Sequence, residues 1–178
     1  MNEDRAFKEL IIQDIRRFYK GDTNYLLISL RYFFTSSSFR SIFFHRLISS
    51  KPIQNHGTLT EILWTICNFF TLSEISYKAR IGGGLYLPHP QCIIIGEGCV
   101  IGKNVTILQG VTLGGNMGKE KNGIFQPIIA DNVLIGPGAK ILGPVKIYNN
   151  SIIGANSVVI DDIPENSLAV GIPAKIKK

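Results

Sequence analysis

From Ile75 onward an aliphatic residue recurs at every sixth position, and no other feature restricts the fold of this chain as strongly. Ile75, Ile81 and Leu87 are followed, after a two-residue slip, by Ile95, Ile101, Ile107 and Leu113. After a longer interruption come Ile129, Ile135, Ile141, Ile147, Ile153 and Val159. All thirteen positions are Ile, Leu or Val, an agreement that two free shifts of phase cannot manufacture. Two positions earlier stands a mostly small residue, such as Ala79, Cys99, Val105, Ala139 or Ser151, and a glycine often follows, as at Gly82, Gly96, Gly102, Gly136 and Gly154. The spacing is not the roughly 3.6 residues of a helix. Hairpin turn pairs do not recur at the roughly 8–12 residues of a sandwich either. A six-residue period builds a parallel β-helix, in which three hexapeptides complete one coil of a triangular prism. The aliphatic side chain points to the axis and stacks on its copies above and below. The small residue fits where the corners crowd, and glycine is expected to serve the corner backbone. One coil cannot bury its own face, so stacking is obligatory. Residues 75–161 hold roughly four to five coils.

The expected fold class is therefore mainly β, a parallel β-helix of hexapeptide repeats, preceded by a small helical region. The chain divides near residue 72, into a helical region 1–72 and a β-helix domain 73–178. In the first, Phe7, Leu10, Ile11, Ile15 and Phe18 form one helical face that Gly21 stops. Asp22 or Thr23 is placed to cap a second helix through Leu27, Leu30 and Phe34, and Ser36–Ser38 to cap a third with Phe39, Ile42, Phe43 and Leu47. Thr58-Leu-Thr-Glu61 has capping-box spacing ahead of the apolar run Ile62–Phe70. In the second region, residues 114–127 are polar and glycine-rich and read as a loop extruded from a coil, and residues 161–178 leave the prism and cap it.

Composition narrows the function classes. Three cysteines without a CxxC, and only three histidines, argue against a disulfide scaffold or a metal site, so no metal is expected. The N-terminus has no apolar leader and no stretch is long enough to span a bilayer, so a cytoplasmic location is expected. A net charge of +6 points to phosphate-bearing partners, but the charge is diffuse and nucleic acid is not expected. Phe33, Phe34, Phe39, Phe43 and Phe44, interleaved with Arg31, Arg40 and Arg46, read either as a helical core or as a surface in peripheral contact with anionic lipid at the inner membrane face. His45 is expected at the surface and His56 in a loop. Cys92 is near His89 and Cys99 occupies an inward small position, and neither thiol is expected to act as a nucleophile.

The segments Leu87-Pro-His89, Ile107–Gly115, Ile135–Gly143, Ile153–Val159 and Ala169–Ala174 together resemble the serine O-acetyltransferase family, over about residues 74–176. The resemblance implies a homotrimer of left-handed β-helices that uses acetyl-CoA, bound in the groove between neighbouring prisms. His89 matches the family's catalytic histidine, and Glu74 stands where an aspartate pairs with it. A histidine is suited to take a proton from a hydroxyl acceptor, and a carboxylate on its other nitrogen fixes the tautomer. Direct attack on the thioester is expected, with backbone N–H groups of Gly114 or Gly115 meeting the oxyanion. Pro137 and Ala155 fall at positions whose backbone meets the pantetheine arm, and Lys175, Lys177 and Lys178 at the nucleotide phosphates. Pro137 lacks an N–H, so only its carbonyl is available to such a ligand.

Three positions depart from the family. Pro88 replaces an aspartate, and Phe125 and Gln126 replace an Arg-His pair, residues that hold the charges of the amino acid. Neutral side chains cannot supply charge-assisted bonds to a zwitterion. On that ground the pattern is closer to the capsule, colanic acid and O-antigen O-acetyltransferases, with a saccharide acceptor held by Pro88, Phe125 and Gln126. The alternatives are a serine O-acetyltransferase of cysteine biosynthesis and a β-helix scaffold without catalysis.

Overall fold

The computed structural model describes residues 3–21 and 24–177. Helices come first: α1 (Glu3–Ile15), α2 (Tyr25–Thr35), α3 (Ser37–Ile48), α4 (Lys51–Gln54) and α5 (Thr58–Thr71). Asn24, not a residue further upstream, caps α2 by accepting from the Leu26 N–H, and the expected caps Asp22 and Thr23 lie outside the described residues. Ser36 caps α3 as its position predicts, accepting from the Phe39 N–H. The capping box at Thr58 does not form, because Gly57 holds the cap position and Thr58 is already inside α5.

The strands then follow one another around a left-handed triangular prism. Face A stacks β1 (Glu74–Ile75), β3 (Ile94–Ile95), β6 (Thr112–Gly114), β9 (Lys140–Leu142) and β12 (Val158–Val159). Face B stacks β2 (Arg80–Ile81), β4 (Val100–Ile101), β7 (Ile128–Ile129) and β10 (Lys146–Ile147). Face C stacks β5 (Thr106–Ile107), β8 (Leu134–Ile135), β11 (Ile152–Ile153) and β13 (Leu168–Gly171), and β14 (Ala174–Lys177) folds back antiparallel on β13. The registers make the six-residue period physical. Ile75, Ile95, Leu113, Ile141 and Val159 form one inward column, Ile81, Ile101, Ile129 and Ile147 a second, and Ile107, Ile135 and Ile153 a third. All thirteen aliphatic positions are buried. Each contributes about 1.5–3 kcal/mol by leaving water. The prism also runs further than the six-residue count, since Ile163 bridges to Ile147 and Ala169 stacks on Ile153 before the terminal hairpin begins.

The corner glycines differ from expectation. Those following the inward residue have ordinary backbone angles, and what they supply is space. A Cβ on Gly136 would lie 2.8 Å from the Ala155 backbone nitrogen in the next coil. The left-handed conformation falls two positions later, where Asn104, Asn132, Asn150 and Asn166 share φ of 56–58°. Asparagine tolerates that region, and here its amides form a ladder from Asn132 to Asn150 and from Asn150 to Asn166.

The helical region covers the first coil. A second apolar cluster centres on Ile11, Ile15 and Phe39, with Phe33 and Phe43 packed against it. Arg40 is spent on the Phe33 and Phe34 carbonyls that end α2, and Arg46 is buried, so of the three arginines only Arg31 faces solvent. The face expected to bury α2 is instead open, with Leu27, Leu30 and Phe34 exposed. His45 is also a correction: it is buried beneath Ser49, whose hydroxyl lies 3.2 Å from Nε2. Burial, reinforced by the Arg46 guanidinium, lowers its pKa to about 3. No described helix is long and apolar enough to cross a membrane.

Two measurements check this packing. Gly136→Ala forces a Cβ onto backbone and is expected to cost about 1–3 kcal/mol in urea denaturation. Gly114→Ala, whose Cβ would find its nearest neighbour at 3.9 Å, is expected to be tolerated. For His45, the unfolded state binds the proton that the folded state refuses between pH 6.5 and about 3, so stability rises with pH across that window and is lost on acidification. Asp14, raised by burial, works in the opposite sense around its ordinary value of 3.8. The contribution of His45 to the loss between pH 6.5 and 5 amounts to about 2 kcal/mol. His45→Gln is expected to flatten that slope, and an unchanged slope would assign it to another group.

Candidate active site

The two-residue slip in the repeat has a specific location. Leu87 aligns with Ile107, and Gln91 aligns with Gln109, since their carbonyls accept from the equivalent N–H groups of Gly110 and Gly138. Three residues, Pro88-His89-Pro90, therefore occupy the space that Leu108 fills alone one coil below. The bulge carries His89 outward at the corner between faces C and A, and its side chain is exposed. Segment 72–74 runs alongside, with the Cys92 N–H donating to the Leu72 carbonyl at 2.8 Å and the Glu74 N–H to the Ile93 carbonyl at 2.8 Å. Glu74 thus sits at the same end of the same edge, facing outward, and no hydrogen bond joins it to His89.

Below His89 the corner positions line up as Gln91, Gln109, Pro137 and Ala155, and the column reaches Gly171 at the hairpin. Four coil spacings make that distance about 19 Å. Lys175 pairs with Val170 beside the Gly171 corner and Lys177 with Leu168 further back on face C, so both expected phosphate-binding lysines stand exposed at the foot of the prism, Lys175 nearer the edge that His89 heads. Lys178 lies outside the described residues. Among the described residues Ala155 has no backbone hydrogen-bond partner for its N–H or C=O. The Pro137 carbonyl already accepts from the Asn156 N–H at 2.8 Å, so only its second lone pair remains.

The other expected residues do not join this edge. Gly114 and Gly115 lie at the far side of face A, four residues beyond the Gly110 corner, or about 13 Å of extended chain. The extruded loop continues down that second edge, where Lys121 pairs with Asp162 at 2.8 Å and a groove of about 640 Å³ opens between them and Leu142, Pro144 and Ile160. Phe125 is exposed at the end of the loop. Gln126 folds back over the loop base, its Oε1 3.8 Å from the Cys99 sulfur and its side chain over Gly96, Gly98 and Gly115. Cys99 is buried and its thiol is pushed up to about 11, which leaves it a packing residue. Cys92 is exposed at a corner with φ of 57°. No group of three His, Cys, Asp or Glu among the described residues is placed to hold a metal ion.

Lys140 went unnoticed in the sequence, where it stands at an ordinary outward position. Its ammonium donates to the Gly110 carbonyl at 2.6 Å and to Thr112 Oγ1 at 3.1 Å, tying the His89 edge to face A.

Comparison with known proteins places this arrangement. A family of bacterial transferase hexapeptide repeats matches residues 126–161, and the hexapeptide repeat of succinyl-transferase matches residues 92–117. A serine acetyltransferase of Staphylococcus aureus is 48% identical over 134 residues, 75% of this chain and 60% of that one. That of Staphylococcus epidermidis is 49% identical over 133 residues, 74% of this chain and 62% of its own. The chain thus spans about 60% of the length of these relatives. Among solved structures, soybean serine acetyltransferase superposes with a TM-score of 0.84 at 34% identity, covering 97% of this chain and 69% of its own. Serine acetyltransferase of Brucella abortus in complex with coenzyme A does so with 0.82 at 34% identity, covering 97% and 68%. These relatives overturn the expectation of a saccharide acceptor and of the polysaccharide branch. The geometry shows why that expectation failed. It rested on the neutrality of positions 88, 125 and 126, yet Gln126 is occupied at the loop base and Phe125 and Gln126 lie on the edge away from His89.

Proposed function

The chain belongs to the hexapeptide-repeat acyltransferases as a homologue of the serine acetyltransferases, and from that premise we propose that it transfers the acetyl group of acetyl-CoA to the hydroxyl of serine. The kinship carries the choice of reaction, and the edge headed by His89 supports the manner of it. Along that edge the free backbone groups of Ala155 suit an amide-bearing pantetheine arm, and Lys175 and Lys177 suit the phosphates. Acetyl-CoA supplies an activated thioester carbonyl at the head of the edge.

In this reading His89 removes the proton from the serine hydroxyl as the oxygen attacks the carbonyl, and returns it to the departing thiolate. Glu74 orients the imidazole and steadies its charged form. No acetyl-enzyme forms. Gly114 and Gly115 are too far from His89 in their own chain to meet the oxyanion, so a neighbouring copy brings its second edge against the first edge of this one. An apolar column on the outer surface of face C, made of Leu134, Ile152 and Leu168 in register, offers surface for such packing. The particle is accordingly a homotrimer. Because positions 88, 125 and 126 carry no fixed charge, serine gains fewer charge-assisted bonds there, and saturation requires a high serine concentration.

Incubation with acetyl-CoA and serine is expected to yield O-acetylserine by mass spectrometry, and its absence at high serine overturns the reading. His89→Ala is expected to lower turnover by about 10²–10⁴ with acetyl-CoA binding retained. Glu74→Gln is expected to cost less, since an amide still orients the ring, and equal losses would give Glu74 another role. Sedimentation is expected to find three chains of 19.7 kDa per particle, and full activity in a monomer contradicts a site shared between copies.

A further inference from the structure

The first coil has a neighbouring coil on one side only, and the helical region provides the other. Asp14 and Arg46 are both buried and paired, with Arg46 Nε 2.9 Å from Asp14 Oδ2 and Nη2 3.2 Å from Oδ1. The pair faces four backbone groups of one short segment. Arg46 donates to the carbonyls of Ile81 and Gly82, the latter at 2.6 Å. Asp14 Oδ1 accepts from the Gly84 N–H at 2.8 Å and the Leu85 N–H at 3.1 Å. One turn further along the chain, Arg17 donates to the Asn104 carbonyl at 3.0 Å and to Thr106 Oγ1 at 2.9 Å, with its guanidinium 5.6 Å from the centre of the Tyr86 ring. Phe18 packs edge-on to Tyr86 at 5.2 Å.

The contacts of Asp14, Arg46 and Phe18 fall on residues 81–86, Arg17 ties Tyr86 to Asn104 and Thr106 in the coil beneath, and the bulge that carries His89 begins two residues after Tyr86. On its far side the bulge is tied by the Gly110 N–H to the Gln91 carbonyl and by the Cys92 N–H to the Leu72 carbonyl. His89 itself makes no hydrogen bond among the described residues. Its place therefore depends on the two strands of backbone that enter and leave the bulge, and the entering one takes its upper contacts from α1 and α3.

We propose that α1 and the turn that follows it are part of the transfer site, with Asp14 in the helix and Arg17 in the turn acting as positioning residues that set where His89 stands. This rests on the catalytic role given to His89 above. Neither residue reaches the reacting atoms. Asp14 fixes the backbone two to three residues before Leu87, and Arg17 clamps Tyr86 against the coil beneath. Misplacement of a general base by about 1 Å can cost up to about a hundredfold in rate.

Arg17 is the sharper test, because its removal leaves the buried Asp14–Arg46 pair intact. Arg17→Met in the full chain is expected to lower kcat about tenfold while KM for acetyl-CoA stays within about twofold, and Arg17→Lys to recover part of the loss. Asp14→Asn is expected to lower kcat further, and if that variant fails to fold the Arg17 pair decides. A fall in melting temperature with kcat per folded molecule unchanged in Arg17→Met overturns the proposal. If the unmodified protein transfers no acetyl group to serine, the reading of the activity fails separately. The NMR signals of the His89 imidazole then decide: a shift in Arg17→Met supports positioning, and signals identical to those of the unmodified protein overturn it.

Discussion

A parallel β-helix satisfies its backbone from coil to coil, and so it always leaves two ends unsatisfied. Every described strand pairs with a strand sixteen, eighteen, twenty or twenty-eight residues away, never with a sequence neighbour except in the last hairpin. The first coil would otherwise expose carbonyls and N–H groups to whatever lies above it. The helical region answers that demand group by group. Trp64 donates to the Ile75 carbonyl at 2.7 Å, Ser49 to the Tyr77 carbonyl at 2.8 Å, and the Asp14–Arg46 pair closes the next stretch. A buried ion pair gains little over apolar packing when complete, but the loss of one partner costs about 3–5 kcal/mol. The opposite end is closed by β14, whose Lys175 and Lys177 also discourage a further strand from adding to the edge.

Given a closed prism, function resides where the repeat is broken. The regular hexapeptides place one residue between an inward aliphatic and the next corner column, and that residue lies flat on the prism. Two extra residues at Pro88-His89-Pro90 lift a histidine off the corner, and ten extra residues after Leu113 build the loop on the adjacent edge. The coils between the bulge and the hairpin act as a ruler. They set about 19 Å between His89 and the lysines at the foot, a span suited to a ligand reactive at one end and phosphorylated at the other.

What the sequence made legible follows from which interactions are local in period. The inward columns were readable because stacking demands the same residue class at each repeat, and the slip at Leu87 was visible as a change of phase. The helical region has no such repetition. Its residues are placed by what they meet on the prism, so His45, expected at the surface, and Arg46 beside it are both spent on first-coil backbone. Leu27, Leu30 and Phe34 have helical spacing, yet they form the outer side of α2, because the inward side is set by Ile28, Tyr32 and Phe33 against α1 and α3. The glycines after the inward residue were recognised, but for the wrong reason: proximity of the next coil, which no single repeat reveals, excludes a side chain there.

The choice of acceptor turned on the same distinction between what a residue is and where its side chain goes. Reading Phe125 and Gln126 as an uncharged acceptor site assumes that they face the histidine. Their corner follows face A, whereas the His89 corner precedes it, so within one prism a whole face separates them. Gln126 further turns inward, its side chain over Gly115 at the start of the loop and over Gly96, Gly98 and Cys99 of the preceding coil. The loop end therefore reports first on how the loop is anchored. In the trimer proposed above it bears on chemistry through a second prism that sets its edge against the first, and its neutral residues by themselves define no sugar. Substrate preference in such a prism is thus a property of two apposed edges, and the charge count of one loop reads only half of it.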